Sequence, residues 1–421
     1  MNSGGGVLTG VAPRVRLLLA ARLFRSIWQG ALVADFALYL GRLDWRGEQI
    51  GALFAASFVV GAALSLLVGP LSDRWGYRRL LVGYEAAVAG LFVAATCSAN
   101  SLLISVAAVF GGFGRGANGA PGCFVPAELA WLAALLPEQR RAPVFSLNTA
   151  LGFVGMAIGG IIAAGPGLWK GWLSGPAAFR PLFAIGAVLA LVNVVLLCAA
   201  AAVGSDNPSG GDGHHRGTPM TDRRRGLLLR MTAVNVCNGL SVGLSGPLIA
   251  YWFATKFQVG PVQIGALMLA GFLAAALCAV GVCVVAGRMA AASVFIPMQW
   301  ASLLLILALP FVASFPMAAT AWVIKFALER GSGGVLEAVN VGLAGPGRWG
   351  LASGLTVGSL ALPRSVGPLM AGHWIDSAAF APPLLAAVML QAAYLVLYQR
   401  ALTRKQRQAD QLVRKECGCN C

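Results

Sequence analysis

The sequence predicts an all-α integral membrane protein, with twelve transmembrane helices in two pseudo-symmetric six-helix bundles. Three observations predict it: an apolar, charge-poor composition, twelve apolar runs of membrane-crossing length, and a first half that reads like the second. Of 421 residues, 58% are hydrophobic and only 11% charged. Soluble domains run at about 45–50% apolar and about 25% charged. A spanning helix needs ~20 mostly apolar residues. Such runs fall near 16–40, 48–70, 80–97, 101–126, 142–165, 179–203, 227–254, 261–286, 294–314, 316–343, 348–372 and 379–399. The first is too long for a cleaved signal peptide, and no small-residue cleavage site follows it.

The repeat shows in three places, in the same order. "EQIGALFAASF" (48–58) opens the second run and "VQIGALMLAGF" (262–272) the eighth. "RGANG" (115–119) in the fourth matches "RGSGG" (330–334) in the tenth. Residues 141–165 align without a gap beside 348–372. Two six-helix units related by an axis along the membrane normal place a small-molecule site between them, near mid-membrane. The polar stretch 204–226 reads as a flexible linker. The expected organisation is a bundle at 1–203, the linker, a bundle at 227–400 and a basic tail at 401–421 that ends in "CGCNC".

The net charge of +16 raises the question of nucleic acid. Its placement answers otherwise. Outside the runs, nineteen Lys and Arg fall at the termini and in even-numbered loops, against five in odd-numbered loops (Arg42, Arg46, Lys170, Arg180 and Lys256). The positive-inside rule puts both termini in the cytoplasm. The basic excess then meets membrane lipid headgroups, and no nucleic-acid partner is expected.

"GPLSDRWGYRR" (69–79) gathers Asp73, Arg74, Arg78 and Arg79 between two apolar runs, with Gly69 and Gly76 beside them. Positive charge alone is explained by topology, but the acid and the glycines at this spacing are not. Gly76 permits a tight turn, and Asp73 is placed to meet positive charge or a helix N-terminus across the bundle interface, with Arg348 the available partner. A latch of this kind holds one side shut and releases when the bundles rock.

The stretch resembles the loop 2–3 signature of the major facilitator superfamily, G-x-x-x-D-R-x-G-R-R, with Tyr77 where a basic residue is common. "RGANG" resembles that family's span-four motif. "GMAIGG" (155–160) resembles its span-five antiporter motif G-P-x-x-G-G, with Met156 in place of the proline. The resemblance covers nearly the whole chain. It implies a transporter of the bacterial drug/proton antiporter type, with spans four and ten lining the cavity.

Ionisable groups inside the runs are costly and mark function or a structural pair. Arg25, Trp28, Leu32 and Asp35 share one face of the first run. Asp35 falls in the outer third, where a carboxylate caught between desolvation and a nearby cation can carry a proton. The alternative is a static salt bridge to Arg25 or Arg364. Glu85 is expected to pair with Arg25. Arg115 and Arg330 sit at equivalent places in the fourth and tenth runs, suited to a neighbouring carboxylate or an anionic substrate group. Lys325 and Glu329 are spaced to pair, Arg330 and Glu337 share a face, and Arg364 interrupts the eleventh run.

No Walker loop, zinc-binding His spacing or nucleophile motif is found, so neither an enzyme nor a cofactor or metal site is expected. Cys417, Cys419 and Cys421 can hold a soft ion, but a tail without fixed geometry is the plainer reading. The expected function is secondary transport by alternating access: proton-coupled efflux of a small molecule by a monomer in the cytoplasmic (inner) membrane. Metabolite uptake, and a non-transporting sensor or scaffold, are the alternatives.

Overall fold

The computed structural model describes residues 12–98, 100–115, 128, 131–132, 135–136, 138–169, 171–203, 222–286, 291–332 and 349–416. Among these the regular structure is helical, and the architecture is the expected two-bundle, twelve-span one. Eight described helices are long and apolar enough to cross a membrane. Large apolar side chains on their outer faces, such as Leu277, Leu304 and Met389, are exposed, as lipid-facing positions require.

The first bundle holds α1 (Pro13–Arg42), α2 (Gly47–Trp75), α3 (Tyr77–Cys97), α4 (Ser101–Gly111), α5 (Glu138–Ala163) and α6 (Arg180–Ala202). The second holds α7 (Asp222–Ser245), α8 (Ile249–Phe257), α9 (Pro261–Ala286), α10 (Ala291–Ala308), α11 (Phe315–Gly331), α12 (Trp349–Asp376) and α13 (Ala381–Glu416). Local chemistry sets many of these ends. Pro13 opens α1, where its missing N–H costs nothing. The Asn100 side-chain Oδ1 accepts from the backbone N–H groups of Leu102 and Leu103 and so caps α4.

Four differences from the sequence reading have local causes. The fourth run is not one helix over 101–126: α4 stops at Gly111, because Gly112 and Gly114 both take φ of 75°. The seventh run is divided at Ser245-Gly246-Pro247, where proline has no N–H to continue the ladder. Gly69, Asp73 and Arg74 are not in a loop. They lie on α2, which runs on to Trp75 before Gly76, at φ 81°, turns the chain into α3. Helix α7 takes in residues 222–226 of the polar linker, and α13 continues through the basic tail to Glu416.

Helix pairing repeats between the halves. In the first, α1 packs on α5 and α6, α2 on α4, and α3 on α6. In the second, α7 packs on α12 and α13, α9 on α11, and α10 on α13. Each pair is the twofold image of one in the other bundle. The bundles meet along α2 with α12 and α5 with α9, again a twofold-related set.

The repeated "QIGAL" explains how. Its glutamine caps its own helix in both halves: Gln49 Oε1 accepts from the Arg46 N–H at 2.9 Å, and Gln263 Oε1 from the Gly260 N–H at 3.2 Å. Its glycine sits at each inter-bundle contact. A Cβ on Gly51 would run into the Pro368 carbonyl of α12, and one on Gly265 would lie 2.6 Å from the Gly160 carbonyl of α5. Small residues thus let the backbones of opposed bundles touch. Both contacts lie toward the side that carries the α1–α2 turn, called here the far side; Pro13 and Gly76 lie on the terminal side.

Candidate functional site

Helix α1 carries two buried charges in different surroundings. Arg25, 3% exposed, is enclosed by carboxylates from two neighbours: Nε donates to Glu85 of α3, and Nη1 to Glu128, which follows the α4 segment. The expected pairing with Glu85 forms. Glu128 was not anticipated, because it falls just past the end assigned to the fourth run. The signal was present, since it is the lone charge in the apolar stretch 116–136. Arg22 lies one turn from Arg25, over Gly152 of α5, with buried Nε and Nη1 lacking hydrogen-bond acceptors among the described residues.

Asp35 lies at the other extreme. It is fully buried, and among the described residues neither carboxylate oxygen has a hydrogen-bond partner. The two static bridges that would explain it do not form: Arg25 is taken by Glu85 and Glu128, and Arg364 makes no ion pair with it. Around it on α1, Trp28, Leu32, Phe36 and Tyr39 are all buried. Trp28 and Phe36 join Phe54, Phe92 and Phe113 in an aromatic cluster with centroid separations of 4.3–6.4 Å.

Arg115 occupies the turn after α4 rather than a spanning helix. Its Nη2 donates to the Val109 carbonyl at 3.0 Å, and its guanidinium fills the space over Gly61 and Gly112. It therefore meets the carbonyl end of α4, where a cation suits the helix dipole.

In the second bundle, Lys325 Nζ donates to Glu329, one turn on along α11. Arg330 Nη2 stands 3.6 Å from the other Glu329 oxygen, with its guanidinium 5.8 Å from the Phe326 ring. Arg364 of α12 lies within electrostatic reach of both Arg330 and Glu329. A narrow crevice, with room for about one water molecule, adjoins Lys325 and Glu329, lined also by Ser241, Ser245, Ser302 and Gln391. Glu337, Arg348 and the three tail cysteines lie outside the described residues, as do the side chains of Asp73 and Arg74. Arg78 and Arg79 are exposed at the start of α3.

One inter-bundle contact escaped the sequence reading. Asp376, at the far-side end of α12, accepts from the backbone N–H groups of Gly47 (2.6 Å) and Glu48 (2.9 Å), the first residues of α2. His373 Nδ1 is 3.8 Å from Glu48 Oε2 beside it. A carboxylate at a helix N-terminus satisfies orphan donors and the dipole together. Nothing in a single sequence pairs residues more than 300 positions apart.

A family model for the Major Facilitator Superfamily matches residues 6–229, more than half the chain. An uncharacterized MFS-type transporter of Escherichia coli, YdeE, is 28% identical over 143 residues, 34% of this chain and 35% of that protein. An uncharacterized membrane protein of Saccharomyces cerevisiae, YJR124C, is 26% identical over 148 residues, 35% and 33% respectively. The chain thus spans about a third of the length of these curated relatives. A bacterial homolog to the human lysosomal transporter Spinster, solved inward-facing and occupied, superposes with a TM-score of 0.69 at 13% identity. The match covers 92% of this chain and 96% of that one. At that identity the likeness is one of fold.

Proposed function

The chain belongs to the major facilitator superfamily, and from that premise we propose that it exports a small molecule by alternating access, driven by protons that pass through Asp35. The observation that carries the reading is the enclosure of Asp35 without a partner for either oxygen among the described residues. An unpaired charge inside a membrane span costs several kcal/mol. A carboxyl that can take up or release a proton as the bundles rock avoids that cost in one state and is solvated in the other. The glycines of "GMAIGG" support the efflux direction. Gly155 and Gly159 lie against the α1 backbone and Gly160 against α9, so this antiporter-like stretch joins the Asp35 helix to the opposite bundle. The membrane is a bacterial-type inner membrane and both termini are cytoplasmic, in keeping with the placement of the basic residues.

Everted vesicles test this directly, with transport measured in both directions across a panel of drugs, metals and metabolites. Asp35→Asn abolishes accumulation driven by a pH gradient while leaving downhill exchange in place. Undiminished pH-driven accumulation in that variant would remove Asp35 from the proton path. Net movement into cells would favour the uptake reading.

The segment 69–79 acts in the same cycle as the terminal-side latch. Asp73 stands in the last turn of α2, where the helix dipole disfavours an acid, so its presence calls for positive charge from the other bundle. Asp73→Asn cuts the transport rate at least tenfold with normal insertion and abundance. Wild-type rates would leave the segment a topology signal.

A further inference from the structure

We propose that Arg330 and Arg364 bind the carboxylate or phosphate group of an anionic small molecule, which makes the exported compound an organic anion. The inference rests on the transporter reading and names its substrate class.

In the first bundle, Arg22 and Arg25 face Glu85 and Glu128, two cations against two acids, and Arg25 is enclosed by both carboxylates. In the second, among the described residues, Lys325, Arg330 and Arg364 face Glu329, three cations against one acid. That acid is already shared: one oxygen accepts from Lys325 and the other lies 3.6 Å from Arg330. Arg364 is left with no acid of its own among the described residues.

Hydrogen bonding tells the same story. Arg330 Nε and Nη2 and Arg364 Nε are buried with no hydrogen-bond acceptor among the described residues. Buried guanidinium donors without acceptors are expensive, and a structure retains them where something else supplies the acceptors. The planar guanidinium presents paired donors that match the two oxygens of a carboxylate or phosphate, and two arginines from different helices fix such a group in place.

Arg364 lies amid α12, and Arg330 in the last turn of the described α11. The phosphatidylglycerol series below separates a lipid headgroup from a soluble anion. The adjoining crevice brings the hydroxyls of Ser241, Ser245 and Ser302 and the unpartnered Gln391 Oε1 to the same acid–base cluster.

The test uses the full chain in phosphatidylcholine nanodiscs, free of anionic lipid. Thermal unfolding is read with matched pairs at millimolar concentration: benzoate and benzamide, succinate and succinamide, phenyl phosphate and phenol. Anions raise the unfolding midpoint and their neutral partners do not. In Arg364→Gln the concentration for half effect rises roughly tenfold or more. Arg364→Lys, which keeps the charge and loses the two-pronged geometry, falls between. Equal shifts from neutral partners, no shift from any anion, or an undiminished response in both Arg364→Gln and Arg330→Gln would overturn the assignment. So would stabilisation by phosphatidylglycerol alone in a parallel series.

Proteoliposomes loaded with a pH-sensitive dye separate this from the export reading. Proton movement evoked by neutral or cationic compounds and by no anion sinks the anion site and leaves proton-coupled export standing. Anion flux indifferent to a pH gradient does the reverse.

Discussion

Arg25→Leu loses about 3–5 kcal/mol of stability, enough to leave much of the protein unfolded after extraction. Removing one member of a buried ion pair strands the other, and the cost is that of an uncompensated charge in low dielectric. Here two acids are stranded at once. Glu85 is fully buried and Glu128 is 2% exposed, each held by a different nitrogen of the same guanidinium. The loss is therefore one of folding, and the diagnostic is its repair. The double change Arg25→Leu, Glu85→Gln recovers most of the unfolding midpoint because the acid that remains, Glu128, still faces Arg22. Fluorescence-detected size exclusion after graded heating measures all of these forms. An Arg25→Leu protein that melts with the wild type would show that the triad contributes nothing.

Gly51→Leu stops transport, by at least tenfold, in a protein that still inserts. A Cβ at this position enters the Pro368 carbonyl, which belongs to backbone and cannot swing aside. Leucine holds α2 off α12 and keeps the far side from closing. The Asp376 carboxylate then no longer reaches the Gly47 and Glu48 amides. Hydrogen–deuterium exchange at those two amides accelerates by roughly tenfold or more, in line with loss of a charge-assisted bond. Unchanged exchange together with unchanged transport would mean that the contact has no part in the cycle.

Much of the architecture was legible because apolar length and internal repetition are written along the chain. The repeat did more than give a helix count. Its shared glutamine and glycine, Gln49 with Gln263 and Gly51 with Gly265, mark the helix starts and the inter-bundle contacts of the finished fold. Local pairs were legible too, as with Lys325 and Glu329 one turn apart. What escaped was of two kinds. Helix breaks inside apolar runs, at Gly112 and Gly114 and at Pro247, are invisible to a hydropathy count, which registers composition and ignores φ. Long-range partners, as Glu128 is for Arg25 and Asp376 for the start of α2, depend on which helices become neighbours. The isolation of Asp35 is of this second kind. The sequence raised the acid and two candidate cations, and only packing decided that neither reaches it.

The twofold axis relates backbones and leaves the chemistry of the two closures unlike. Where Asp376 stands at the end of α12, the repeat register puts Trp169 after α5, and its indole Nε1 donates to the Ala178 carbonyl within its own bundle. One closure is thus ionic and solvent-facing, since Asp376 is exposed, and the other is dry contact between Gly160 and Gly265. Dissolved ions screen the first over a Debye length of about 8 Å at 0.15 M salt and do not touch the second. Salt in the solution bathing the far side therefore weakens the ionic contact and leaves the glycine seam as it is.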